Sequence, residues 1–83
     1  MNAEQLFNTL NEYALYNGNV SQVIFNFTFG MLVTDLPITG SIKLADDGSS
    51  VILGSGNLLD ETFLPVYVIS PEHLVYMEVV YDE

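Results

Sequence analysis

The stretch Val20-Ser21-Gln22-Val23-Ile24-Phe25-Asn26-Phe27-Thr28-Phe29 decides the reading of this chain. Val23, Phe25, Phe27 and Phe29 fall on one side of an extended backbone, and Ile24, Asn26 and Thr28 on the other. A two-residue period of this quality predicts a strand over 20–29 with one face turned to a core. Upstream the period is different. Ala3, Leu6, Phe7, Leu10, Tyr13 and Ala14 recur at three- and four-residue spacing, which stacks them on one face of a helix over 3–16. Asn2 is the expected N-cap, with Gln5 three residues on as in a capping box, and Glu4 sits at the positive helix end. Asn17-Gly18 accepts positive φ and is expected to stop the helix.

Downstream, Gly30 marks a bend before a short strand over 31–35, and Leu36-Pro37 interrupts that run. Ile38, Gly40, Ile42 and Leu44 alternate with Thr39, Ser41 and Lys43, which predicts a strand over 38–44. Asp46-Asp47-Gly48-Ser49 has the composition of a turn. Residues 50–54 should therefore return antiparallel as a hairpin. Gly54 to Phe63 reads as a longer loop that carries Leu58 and Leu59. Two final strands are expected over 64–70 and 73–81, joined around Pro71-Glu72. The last is apolar on both faces, which suits a central strand in a covered sheet or a contact surface for a second chain. The expected architecture is α+β: a single domain over 1–83, with an N-terminal helix on a four- or five-stranded, mainly antiparallel sheet.

Composition bounds the function. Eleven acidic side chains face one lysine and no arginine, for a formal net charge of −10, in a chain that is 49% hydrophobic with five Tyr and five Phe. Disordered acidic chains are poor in aromatic and β-branched residues, so this one is expected to fold. With no cysteine, neither a disulfide nor a cysteine-bound zinc is available to staple so small a core. Direct nucleic-acid binding needs bases to neutralise phosphates, and Lys43 stands alone. The same lack argues against an anionic membrane surface. No apolar run reaches the roughly 20 residues of a membrane span. The N-terminus shows no basic signal-peptide region, so the sequons at Asn19 and Asn26 read as chance and the expected location is the cytoplasm.

Catalysis finds little to work with. His73 is the only histidine, and an acid–base role needs a nucleophile and an orienting carboxylate gathered beside it. No serine lies in a nucleophile-elbow context, and Gly54-Ser55-Gly56 is too short for a phosphate-binding loop. Asp46, Asp47 and Ser49 place oxygens together, but without calcium-loop spacing or a terminal bidentate glutamate. No catalytic residue, metal or cofactor is therefore assigned, and the chain is expected not to be an enzyme.

The acidic doublets Asp46-Asp47, Asp60-Glu61 and Asp82-Glu83 remain. A solvated surface accounts for many such residues. Most soluble surfaces intersperse both signs, however, and uncompensated charge costs self-repulsion. Strand and sheet spacings are commensurate with the phosphate repeat of DNA, so an acidic sheet can occupy a nucleic-acid groove by mimicry. The expected partner is the basic surface of a nucleic-acid-binding protein. Asp46, Asp47, Asp60 and Glu61 are the candidate charges for that contact, and Leu58 and Leu59 its apolar centre.

In size, charge and element order the chain resembles the small acidic inhibitors of phages, the uracil-DNA glycosylase inhibitors and some anti-CRISPR proteins. That resemblance implies a protein that blocks a host nucleic-acid enzyme in the host cytoplasm, and it transfers no residue. The rhythm of Gly40 to Lys43 with Asp46, then Val51 to Leu53, Val66 to Ile69 and Leu74 to Met77 is similar to the Sm-like fold. It implies a helix followed by a bent five-stranded barrel whose edge strands pair between copies, here without the basic residues that bind RNA. The alternative function is thus a self-assembling β module or homodimer built on Val75, Met77, Val79 and Tyr81, with a mass independent of salt.

Overall fold

A computed structural model describes residues 1–16, 20–35 and 41–81 of the chain, at 15, 16 and 20 the backbone alone. The Asn17-Gly18 helix stop, the Leu36-Pro37 break, the start of the 38–44 strand and the Asp82-Glu83 doublet lie outside the described residues.

Helix α1 spans Ala3–Tyr16. Its first turn is closed by a reciprocal capping box. The Asn2 N–H donates to Gln5 Oε1 at 2.9 Å, and the Gln5 N–H donates to Asn2 Oδ1 at 2.8 Å. Two amide donors that a helix start leaves open are thereby satisfied. Ala3, Leu6 and Leu10 are buried on one face, with Phe7, Tyr13 and Ala14 beside them, while Glu4 and Asn8 face solvent.

Six strands follow: β1 Val20–Phe27, β2 Gly30–Asp35, β3 Ile42–Leu44, β4 Val51–Ser55, β5 Leu64–Ile69 and β6 Leu74–Tyr81. A 3₁₀ turn, Pro71–His73, links β5 to β6. The strands form two antiparallel three-stranded sheets, ordered β2-β1-β6 and β3-β4-β5. The α+β class and the N-terminal helix are as expected. The strand count and the single sheet are corrected: β2 and β3 are consecutive in the chain yet belong to different sheets.

β1 is the central strand of its sheet. Val23 pairs with Thr34 and Val79, and Phe25 with Leu32 and Met77, so these side chains share the inward face. The expected strand over 20–29 is two residues shorter, because Phe27 pairs with Gly30 and Thr28-Phe29 forms the intervening turn. Phe29 is consequently not in the core, being 76% exposed. The β3–β4 hairpin forms as expected, with Ile42 opposite Leu53 and Leu44 opposite Val51. The core unites Ala3, Leu6 and Leu10 of the helix with Val23 and Phe25 of one sheet and Ile42, Val51, Leu53 and Ile69 of the other. The final strand β6 is not central: among the described residues it lies at the edge, beside β1 alone.

Candidate functional site

The two acidic loops are built by local hydrogen bonding. In the β3–β4 turn the Gly48 N–H donates to the Ala45 carbonyl at 2.9 Å. The Ser49 hydroxyl and N–H both donate to Asp47 Oδ1, at 2.7 and 3.0 Å. In the β4–β5 loop the Thr62 hydroxyl and N–H donate in the same way to Asp60 Oδ1, at 2.6 and 3.1 Å. The Asn57 N–H donates to Thr62 Oγ1, and the Leu59 N–H to Asn57 Oδ1. These bonds favour the ionised carboxylates. The Ser49 hydroxyl, then its amide, holds Asp47 below the ordinary aspartate value of 3.8, and Thr62 does the same for Asp60. Part of the acidity is therefore accounted for by turn construction.

The six residues expected to meet a partner do not form one patch. Asp46 and Asp47 precede β4, and Asp60 and Glu61 follow it. Five residues of strand separate the two loops by about 17 Å. Leu59 is 92% exposed, so it does not plug the open end of the sheet, while Leu58 is less open. Glu61 holds a left-handed backbone at φ +63°, which a non-glycine residue adopts only when its surroundings require it.

Of the residues assigned to self-association, Val75 and Tyr81 are exposed, whereas Met77 and Val79 are half-buried and pack on the core. A charge at Val79 therefore disturbs the fold as well as any interface. The surface that sequence reasoning missed is β5. Its Leu64, Val66 and Val68 all stand in solvent, and only Ile69 is buried. The signal was present in Leu64-Pro65-Val66-Tyr67-Val68-Ile69, a strand without one charged residue, which is unusual for an edge. Beyond it, Phe27, Phe29, Met31, Val68 and His73 line an apolar cleft of about 510 Å³.

His73 is exposed and meets Phe29 edge to face, ring centres 5.9 Å apart. Among the described residues no group of three or more His, Cys, Asp or Glu side chains is placed to hold a metal. No buried side-chain nitrogen or oxygen among them lacks a hydrogen bond. No described helix is long and apolar enough to cross a membrane. Compared with family models, curated proteins and solved structures, the chain has no significant match.

Proposed function

We propose that this chain is a non-enzymatic, acidic protein-binding module that occupies a basic, nucleic-acid-binding surface of another protein and inhibits it. In this reading it works in the cytoplasm, that of the host if the chain is phage-encoded, as its likeness to small acidic phage inhibitors suggests. The observation that carries the reading is the union of two surface properties. The chain has a net charge of −10, and Leu59, Leu64, Val66, Val68, Val75 and Tyr76 stand exposed. Apolar and aromatic side chains supply most of the affinity of an interface, while complementary charge supplies rate and selectivity. Asp47 and Asp60 lie at opposite ends of β4, so the acids frame apolar surface more than they form a ladder of phosphate mimics. DNA mimicry is then carried by the frame as a whole.

The test is capture from host lysate on the tagged chain, with salt-gradient elution and a parallel run in excess DNA. Recovery of a nucleic-acid-binding protein that salt and DNA both displace supports inhibition at the nucleic-acid site. A partner that DNA leaves in place moves the contact away from that site. A bait that recovers only itself sinks the reading.

A second reading, a self-assembling β module, is favoured by one observation. β2 and β6 are the outer strands of one sheet and β3 and β5 those of the other, so the described residues offer four sheet edges. An assembly held by apolar strand pairing keeps its mass as salt rises, whereas attachment to a basic partner weakens. Mass measured by light scattering across a salt series separates the two.

A further inference from the structure

We infer that the outer edge of β5 accepts an extended strand from the partner, with basic residues at both ends of that strand and apolar residues between them. This rests on the proposed binding of a basic protein and goes further by naming the site and the form of the partner. β5 is hydrogen-bonded to β4, and among the described residues no strand lies on its other side. An edge strand presents alternate N–H and C=O groups outward, and an added strand satisfies them. Natural edges discourage such pairing with charges inside the strand. Here Pro65 is the only deterrent in Leu64–Ile69. Leu64, Val66 and Val68 are 65%, 57% and 67% exposed, and they offer the apolar contacts.

The charges lie at the two ends. Asp60 and Glu61 precede the strand and Glu72 follows it, all three exposed. β5 covers about 20 Å, so a partner segment of nine residues reaches past both ends. Lys43 stands on β3 opposite Ile52, which is opposite Val68. Two strand spacings, about 10 Å, therefore keep the lysine from the edge.

A second copy is a poor occupant. Two β5 strands paired antiparallel bring Asp60 and Glu61 of one chain against Glu72 of the other. Paired parallel, each acidic end meets itself. β6 offered to β5 inserts Glu78 into the strip, β2 brings Asp35, and β3 is only three residues long. Like charges placed opposite one another destabilise a sheet, whereas basic ends on a foreign strand convert each repulsion to attraction.

The test uses the whole chain and the synthetic peptide KKVTVTVKK. Binding is read by fluorescence anisotropy at low salt and mapped by amide chemical shifts. The expected result is saturable binding with shifts centred on residues 64–69. N-methylation along one edge of the peptide should abolish binding, while N-methylation along the other edge leaves it intact. Glu61→Lys combined with Glu72→Lys, both at exposed positions, should weaken binding about tenfold. Binding indifferent to N-methylation on either edge overturns the added strand, as do shifts centred on β6. If the peptide is refused while a basic protein still binds in a salt-sensitive way, the β5 site fails and the broader reading stands. If neither binds, both fail.

Discussion

β4 and β5 lie side by side in one sheet and are both strongly apolar, yet they live in different solvents. Val51 and Leu53 of β4 are buried between the helix and the facing sheet, whereas Leu64 to Val68 of β5 stand in water. Composition does not separate the two strands; position in the sheet does. Among the described residues, β4 has a neighbour on each side and α1 packed on it, and β5 has one neighbour. Folding thus accounts for the apolar character of β4 and of Ile69, and leaves that of Leu64, Val66 and Val68 without a use inside the molecule. For this reason β5, rather than the acidic loops, is the most informative surface of the chain.

The contrast breaks most readily at Leu53. Leu53→Ala should remove about 2–5 kcal/mol of stability, read as a lowered urea midpoint, because a buried side chain leaves a cavity. Next is Gly56, in the loop that joins the two strands, with φ +76° and the Thr62 backbone where a Cβ would go. Gly56→Ala should cost about 1–3 kcal/mol, and a loss below about 0.5 kcal/mol would show that the loop is not held as described. Asn2→Ala removes the cap of the helix that covers β4 and should cost about 1 kcal/mol, with exchange of the first-turn amides rising first. Val68→Ala, on the exposed strand, should stay within about 0.5 kcal/mol. Equal losses at Val68 and Leu53 would erase the distinction between the strands.

The smallest effect belongs to the turns on either side of β4. Asp47 and Asp60 are more acidic folded than unfolded, because the hydroxyls and amides of Ser49 and Thr62 favour the charged form. Their contribution is complete above the ordinary aspartate value near 3.8 and fades as pH falls through the lower folded values. Carboxyl chemical shifts should show both midpoints below 3.8, and Ser49→Ala should raise that of Asp47 alone.

What could be read in advance follows from the same contrast. α1 and β1 bury one face each, and a one-sided pattern prints its period on the sequence, as Leu6, Leu10, Val23 and Phe25 do. The capping pair Asn2 and Gln5 and the Asp47–Ser49 turn are contacts within three residues, also open to inspection. Strand neighbours are not. That β6 returns to β1 and that β2 and β3 part into two sheets depend on pairings far apart in sequence, which a local period does not encode. β5 was legible as a strand but not as an edge. The outward position of Leu59 is set by Asn57, Asp60 and Thr62 bonding around it, and no periodicity announces that.

The contact at the tip of the first hairpin has a spectroscopic consequence. His73 is the chain's only histidine, its carbonyl accepts the Thr28 N–H at 3.0 Å, and its ring lies across that of Phe29. The carbon-bound protons of one imidazole are thus displaced by a phenyl ring current, in a spectral region where no second histidine competes. Those two resonances report whether the β1–β2 turn remains seated against the segment that leaves β5. A one-dimensional proton spectrum, without isotope labelling, therefore follows the joint between the two sheets while anything is added to the edge beside it.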